Sequence, residues 1–267
     1  MKSEAVSAAK TGNPTLLQQL LQQSPSLVQY VTSEKWSLLH FAAESGNSQA
    51  IRHLLNAGAN INHRNLKDET ALHLAATKGH EIIVALLCQK QADLALINSS
   101  GNNALHIAVD IGNIMIVNTL VQTGANLNTP NSRGRTPLHI AAEREFEPLM
   151  RALIDRGADV EAQTGKSLDP LSKTGTSTKG TVLSAEKLDM SGGWRALHIV
   201  AYNGQEHLAK LLVRSGADVN VRDLKGYTPA HRAAQNGHEK VLALLLKHGA
   251  DSKTVTLSNR TPLHDAA

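Results

Sequence analysis

Aromatic residues are scarce in this 267-residue chain, at 3% of the sequence, although 41% of the residues are apolar. Sandwiches and barrels rely on aromatic and β-branched side chains, so this composition favours short helices packed through alanine, leucine, isoleucine and valine. The single cysteine, Cys88, cannot form an internal disulfide. Its isolation argues against a secreted disulfide-stapled protein and predicts a reducing, cytoplasmic location, with a nucleus or the cytosol of a host cell as alternatives.

Long apolar runs and a dominant charge are also missing. No stretch approaches the roughly 18 uninterrupted apolar residues of a membrane span, and no signal-like run follows Met1. The 27 Lys and Arg residues and the 23 Asp and Glu residues are mixed along the chain, which gives a net charge of +4. Nucleic-acid binding usually requires a basic cluster or stripe, so we expect neither a membrane span nor a nucleic-acid ligand.

A histidine phrase repeats at a fixed interval. It reads SLLHFAA in its first copy and TPLHIAA in its fourth, and the first four histidines are 33 residues apart. One interval is 59 residues, after which the 33-residue step resumes. A fixed period of this length predicts stacked copies of one small structural unit. The seven phrase histidines are His40, His73, His106, His139, His198, His231 and His264.

Each copy predicts two helices joined by a turn and followed by a hairpin-like loop. A glycine six residues after the histidine, such as Gly46, suits a left-handed turn that ends the first helix. Apolar residues 11, 14 and 15 positions after the histidine form one stripe of a second helix, as Ile51, Leu54 and Leu55 do. A second glycine, 18 residues after the histidine, ends that helix in most copies.

The phrase, the unit length and the glycine positions resemble the ankyrin repeat over nearly the whole chain. The resemblance implies an all-α ankyrin-repeat solenoid of helix-turn-helix units joined by β-hairpin-like loops, in which each repeat contacts only its neighbours. It also implies structural histidines bonded to backbone groups of neighbouring turns and loops. One array then spans 1–267, with a divergent N-terminal capping repeat over 1–32, repeats over 33–163 and 194–256, and a truncated final repeat over 257–267.

Two copies depart from the pattern. Gln91 replaces the glycine that ends a second helix, and Glu145 with Phe146 replaces a Gly-His pair. A non-glycine residue in a left-handed turn costs roughly 1–2 kcal/mol, so we expect a local adjustment of the fifth copy at Glu145.

The 59-residue interval predicts a 26-residue insertion in a hairpin connection, within residues 164–193. This segment is rich in Ser, Thr, Lys and Gly and favours a flexible loop; the alternative is a short helix over 181–190 that touches a partner. Its Gly165-Lys166-Ser167 resembles the end of a phosphate-binding loop, but Val160 stands where the motif requires its first glycine. We therefore predict no nucleotide site and no cofactor.

The other reactive residues predict neither a catalytic site nor a metal site. Equivalent histidines on stacked helices lie about 8–10 Å apart, whereas the ligands of one zinc ion must nearly touch. Cys88 falls on an apolar stripe, where a thiol behaves as a small buried hydrophobe. Neighbouring acids such as Asp155 and Asp159 fit solvated surfaces, so no acid–base pair is predicted.

Recognition of another protein is the function that the resemblance implies, through the concave face that first helices and hairpin tips form in ankyrin arrays. Four of the seven aromatic residues fall at positions of that face. Trp, Tyr and Arg often dominate the binding energy of interfaces. The alternative is that the rings pack on neighbouring hairpins. The predicted partner-binding residues are Trp36, Arg133, Arg135, Arg144, Trp194, Tyr202, Lys225 and Tyr227.

We therefore expect a non-enzymatic scaffold or adaptor that binds another protein and has no small-molecule substrate. The second candidate is a targeting module of a larger multidomain protein, an enzyme or a host-directed effector that continues beyond Ala267, because the last phrase stops inside a first helix. A nucleotide-binding enzyme that uses Gly165, Lys166 and Ser167 is the third.

Overall fold

The computed structural model describes residues 1–165 and 192–266, which fall into two compact units, 1–126 and 127–267. Both units are built from pairs of short helices. We call the helix that follows each hairpin-like loop the inner helix and the second helix of each pair the outer helix. Within the described residues there is no strand, and one isolated bridge joins Val31 to Ser37. The all-α class that the sequence predicts is confirmed.

The first unit contains four helix pairs. Its inner helices α1, α3, α5 and α7 pack on one another in sequence order, and its outer helices α2, α4, α6 and α8 form a second row. A 3-10 turn over Pro25–Gln29 follows the first pair. The helices are α1 (Lys2–Thr11), α2 (Pro14–Gln23), α3 (Leu38–Glu44), α4 (Ser48–Asn56), α5 (Ala71–Thr77), α6 (Glu81–Gln89), α7 (Ala104–Asp110) and α8 (Ile114–Gln122).

The second unit contains three helix pairs and a last inner helix. The inner helices α9, α11, α13 and α15 again pack in sequence order, and the outer helix α12 packs on α14. Leu246 of α14 and Leu263 of α15 are exposed. The helices are α9 (Pro137–Glu143), α10 (Glu147–Asp155), α11 (Ala196–Tyr202), α12 (Glu206–Arg214), α13 (Pro229–Gln235), α14 (Glu239–Lys247) and α15 (Pro262–Ala266).

The predicted stripe of each outer helix is its buried side. Ile51 and Leu54 of α4 are completely buried, whereas Leu55, at the edge of the stripe, is half-buried. Full burial of one such side chain stabilises the fold by about 1.5–3 kcal/mol. The equivalent buried pairs are Val84 and Leu87, Val117 and Leu120, Met150 and Leu153, and Ala209 and Leu212.

The phrase histidine begins each inner helix by taking the place of the Glu or Gln of a capping box. The backbone N–H of Thr70 donates to Nδ1 of His73 at 3.1 Å, and the Thr70 hydroxyl lies 2.9 Å from the same nitrogen. Nε2 of His73 donates to the carbonyl of Asn102, 3.1 Å away and 29 residues further on. Each ring therefore ties the start of one inner helix to the next hairpin loop. The same bond to a carbonyl 29 residues later is made by His40, His198 and His231.

This bonding requires a neutral imidazole, because Nδ1 accepts a backbone N–H while Nε2 donates. Burial favours the neutral form and lowers the pKa of His40, His139 and His198 to about 4. Burial also lowers the pKa of His73 and His231. His264, in the last phrase, lies beside the Thr261 hydroxyl in the same way but is exposed.

Most inner helices end at a glycine that also makes room for a ring of the next repeat. At Gly46 φ is 75°, and a Cβ atom there would lie 2.9 Å from Cε1 of His80. The His80 ring donates to the Glu44 carbonyl at 3.0 Å, so it is held against this glycine. Gly204 and His238 repeat the arrangement. Glycine supplies both the left-handed conformation and the space at these positions.

Glu145 takes the left-handed conformation without glycine, with a φ of 59°. The flanking helices α9 and α10 keep the seven and nine residues of their counterparts, so the expected local adjustment of the fifth copy is wrong. The next repeat has Gln205 where other repeats carry the ring of His80 or His238. No imidazole at that position therefore restricts the Cβ of Glu145. Gln91 is also left-handed, with a φ of 62°.

The histidine bonds locate the extra residues of the long interval. Nε2 of His139 donates to the carbonyl of Trp194 at 3.1 Å, 55 residues further on instead of 29. The difference is 26 residues, as the 59-residue interval predicts.

The loop itself shows the same difference. In a regular hairpin the N–H of Asn131 donates to the carbonyl of Arg135, four residues later. The equivalent bond here runs from Thr164 to Trp194, 30 residues later, at 2.8 Å. The hairpin is therefore closed by its usual bond at the base of the inserted segment.

We expect the protein to lose stability as the pH falls from about 7 to about 5. With a folded pKa of about 4 and an ordinary value of 6.5, His40, His139 and His198 stay neutral while the unfolded chain takes up protons. Their contribution is complete above about pH 6.5 and disappears as the pH falls toward 4, on the order of 3 kcal/mol for each ring. Urea unfolding followed by circular dichroism at several pH values measures this slope.

Two variants separate this effect from general acid unfolding. His139→Gln removes one buried ring and should flatten the slope, while His207→Gln changes an exposed histidine of α12 and should leave it unchanged. Equal slopes for His139→Gln and the unmodified protein would contradict the account.

We expect Glu145→Gly to stabilise the protein by about 1 kcal/mol, because glycine adopts the left-handed conformation without the Cβ clash. Arg151→Gly, at an exposed position in the middle of α10, should destabilise it by about 1 kcal/mol. Urea unfolding of both variants provides the test. A loss of stability in Glu145→Gly would show that the Glu145 side chain has a stabilising role that outweighs the strain.

Candidate partner-binding surface

Three aromatic rings of the second unit surround one arginine. Trp194 and Tyr202 stand before and at the end of α11, and their ring centroids are 5.5 Å apart. The guanidinium carbon of Arg232, in α13, lies 4.5 Å from the Trp194 centroid and 4.1 Å from the Tyr227 centroid. Both distances are within cation–π range. We call Trp194, Tyr202, Tyr227 and Arg232 the Arg232 cluster.

Asp223 balances the charge of this cluster from a completely buried position. Its Oδ2 accepts a hydrogen bond from Arg232. Its Oδ1 accepts from the backbone N–H groups of Lys225 and Tyr227, at 2.8 and 2.9 Å, which forms the turn at the tip of the hairpin. A buried carboxylate without a cation would be strongly destabilising, so Arg232 and the hairpin tip depend on each other.

Trp194 is held on several sides. Its N–H donates to the Thr164 hydroxyl at 2.8 Å, and its carbonyl accepts from the Thr164 N–H at 2.8 Å and from His139. The side chain is only 4% exposed. The sequence places Trp194 on the binding face, and this burial corrects that placement, because a ring with almost no free surface supports a contact surface without adding area to it.

The other predicted residues of the second unit differ in exposure. Tyr202 and Tyr227 are half-buried, so each ring keeps a free edge beside the cluster. Arg135 is 12% exposed and forms an ion pair with Glu143 at 2.8 Å, which makes it part of the support. The exposed cations are Arg133, Arg144 and Lys225.

Trp36 lies in the first unit and forms a smaller aromatic group there. Its half-buried ring is 5.1 Å from the Phe41 centroid and 5.8 Å from that of His40. The ammonium group of Lys10 lies 4.7 Å from the Phe41 centroid. Part of the predicted face is thus present in each unit, built in both cases from a ring that precedes an inner helix.

Sequence reasoning missed Arg232. This arginine directly follows the phrase histidine, where the neighbouring copies have an apolar residue such as Ile140 or Ile199. A charged residue at a position of the inner helix that is otherwise apolar indicates a buried ion pair or a site. Asp223, nine residues earlier, replaces the asparagine found at Asn65 and Asn131 and supplies the matching charge.

The described residues lack the arrangements that other chemistries need. They contain no group of three His, Cys, Asp or Glu side chains that could hold a metal ion. Burial raises the pKa of the Cys88 thiol, which disfavours the reactive thiolate. Of the Gly-Lys-Ser tripeptide only Gly165 is described; Lys166, Ser167 and the predicted helix over 181–190 lie outside the described residues. No described helix is long and apolar enough to span a membrane.

The repeat geometry agrees with the family comparison. The family model for ankyrin repeats (3 copies) matches residues 5–98, 90–164 and 184–267. The chain therefore belongs to the ankyrin-repeat family, whose fold is a known protein–protein interaction module. No curated protein matches the chain.

Two solved structures are similar to the chain. One is the ankyrin repeat domain of Bcl-3, a unique member of the IkappaB protein family, with 26% identity, a TM-score of 0.72, and coverage of 86% of this chain and 93% of that chain. The other is the human ASB11 ankyrin repeat domain, with 23% identity, a TM-score of 0.67, and coverage of 87% and 92%. The second likeness shows the fold alone.

We expect Arg232→Leu to destabilise the protein by about 3 kcal/mol, because it leaves the carboxylate of Asp223 buried without its cation. Adding Asp223→Asn should restore part of this loss, since an amide oxygen can still accept the two backbone N–H groups of the hairpin tip. Urea unfolding of the single and double variants measures the coupling. Purely additive losses would contradict the mutual dependence of the two side chains.

Proposed function

We propose that this protein is a non-enzymatic scaffold or adaptor that binds another protein through the face formed by its inner helices and hairpin tips, which is concave in the ankyrin family. The observation that carries the proposal is the hairpin tip at residues 223–227. There the exposed side chains of Leu224 and Lys225 lie next to the half-buried Tyr227 of the Arg232 cluster. An apolar, an aromatic and a cationic group at one rigid position form the kind of anchor that interfaces use.

The support beneath this tip favours binding because it is already ordered. Tyr227 is stacked on Arg232, and the backbone around it is held by Asp223. A side chain that is fixed before association loses little conformational entropy when a partner covers it. Trp194 contributes in the same way, as a buried support for Tyr202 and Arg232.

The bonding of the histidines supports a non-enzymatic role. Both ring nitrogens of His73, His139 and His198 are engaged with neighbouring groups, so these rings are not available as general bases. Trp36 is proposed as a contact in the first unit, and Arg133 and Arg144 as contacts in the second. The cytoplasmic location stays a prediction.

Paired variants in an affinity pulldown test the proposed face. Leu224→Ser with Lys225→Glu alters the exposed hairpin tip, and Leu246→Ser with Lys240→Glu makes the same chemical changes on the outer helix α14. Proteins captured from a lysate by the unmodified chain are quantified by mass spectrometry for both variants. We expect the hairpin variant to reduce capture of a partner about tenfold or more and the outer-helix variant to retain it.

Folding must be unchanged for this comparison to hold, so both variants are first matched to the unmodified protein by circular dichroism and urea unfolding. Retention by the hairpin variant together with loss by the outer-helix variant would move the interface to the outer helices and overturn the proposal.

A further inference from the structure

The second unit carries most of the positive charge of the described residues. It has 15 Lys and Arg against 12 Asp and Glu, whereas the first unit has eight of each. Acidic side chains on its inner helices and hairpins are already bound to arginines. These ion pairs are Glu143 with Arg135, Glu161 with Arg195, Asp223 with Arg232, and Asp265 with Arg260.

Three further carboxylates are used inside their own loops. Asp159, Asp218 and Asp251 each follow an outer helix, and each Oδ1 accepts the backbone N–H two residues later, at 2.8–2.9 Å. They shape the start of the hairpin loops. The acidic groups near the hairpins are therefore engaged within the fold.

Three exposed cations are left without a carboxylate at the hairpin tips. Arg133 and Lys225 occupy tip positions, and Arg222 precedes the buried Asp223. None of the three forms an ion pair within residues 1–165 and 192–266. Arg222 donates from Nη2 to the Val255 carbonyl at 2.7 Å, which places its guanidinium against the next hairpin. Unbalanced cations at exposed tips attract an anionic ligand.

The backbone fixes the distance between these charges. The N–H of Gly165 donates to the Gly134 carbonyl at 3.2 Å, and the N–H of Leu224 donates to the Gly192 carbonyl at 2.6 Å, so three successive tips are bonded in a row. Stacked helices lie about 8–10 Å apart, and two such steps put Arg133 roughly 16–20 Å from Lys225. An extended chain covers this distance in about five or six residues.

The surface beside Lys225 is apolar. Leu224 is 55% exposed at the same tip, and Tyr227 keeps a free edge on the Arg232 cluster. A ligand that bridges the two cationic tips therefore passes an apolar contact before it reaches Lys225 and Arg222.

We propose that the hairpin tips of the second unit bind an extended acidic segment of a partner protein, with two acidic groups about six residues apart and an apolar residue between them. This inference rests on the proposed function and specifies its partner. A nucleic acid fits less well, because it carries a charge on every nucleotide and typically requires about 6–10 phosphate contacts. Three separate cations with an apolar group between them match sparse carboxylates.

Fluorescence anisotropy with defined peptides provides the test. The probe is a fluorescein-labelled peptide of about nine residues, with two glutamates near each end and a leucine in the middle. Its matched control has lysines in place of the glutamates, and a labelled single-stranded oligonucleotide is the third probe. We expect the acidic peptide to bind, its affinity to fall with rising salt concentration, and the lysine peptide to show no binding.

Charge-reversal variants locate the site. Arg133→Glu with Lys225→Glu should raise the Kd of the acidic peptide about tenfold or more. Lys210→Glu with Lys240→Glu, an identical charge change on the outer helices α12 and α14, should change it by less than about twofold. Equal losses in both variants would show a response to net charge alone and would overturn the proposal. So would tighter binding of the oligonucleotide than of the peptide, or no binding of the peptide.

The pulldown separates this failure from failure of the proposed function. A partner that depends on Leu224 and Lys225, combined with absent peptide binding, would retain the interaction surface and reject the acidic segment. Loss of both would reject the surface itself.

Discussion

The hydrogen bonding of one neutral histidine per repeat is the constraint on which the structure depends. Nδ1 closes the start of an inner helix, and Nε2 reaches a carbonyl 29 residues further on, in the next hairpin loop. A seven-residue helix is too short to be stable in isolation, so its first turn must be fixed by contacts from outside. The histidine provides such a contact while also setting the separation of adjacent repeats. Burial keeps the ring neutral, and neutrality is what allows one nitrogen to accept and the other to donate.

The same bond explains how a repeat accommodates 26 additional residues. The partner of His139 is the carbonyl of Trp194, which lies after the insertion, and Thr164 pairs with Trp194 across its base. The repeat is therefore completed by the residues on either side of the extra segment. Closing a longer loop between two fixed ends adds little entropy cost, because that cost grows only with the logarithm of loop length.

The Arg232 cluster shows how one charged residue changes the role of several rings around it. Arg232 requires Asp223, and it draws two aromatic faces onto its guanidinium plane. The result is a surface whose rings are partly spent on support, with Trp194 below and the edges of Tyr202 and Tyr227 above. Around this rigid base the exposed groups are short in acids and rich in cations, since nearby carboxylates are paired with arginines or with backbone N–H groups. Shape and charge at this face thus come from the same set of internal contacts.

The sequence by itself determined the repeat, its helix pairs, the buried stripes and the size of the insertion. These features follow from local rules: a 33-residue period, helical spacing of apolar residues and glycine at left-handed turns. It also predicted that Glu145 would disturb its repeat, which was wrong because the space for its Cβ depends on Gln205 in the next repeat. Only the tertiary structure decided which aromatic residues keep free surface, since Trp194 and Tyr227 occupy equivalent positions yet differ in burial. That difference comes from Arg232 and from the Thr164 hydrogen bonds, contacts between residues that are far apart in the chain. Spacing along the sequence describes faces and periods, whereas burial is a property of what packs against each face.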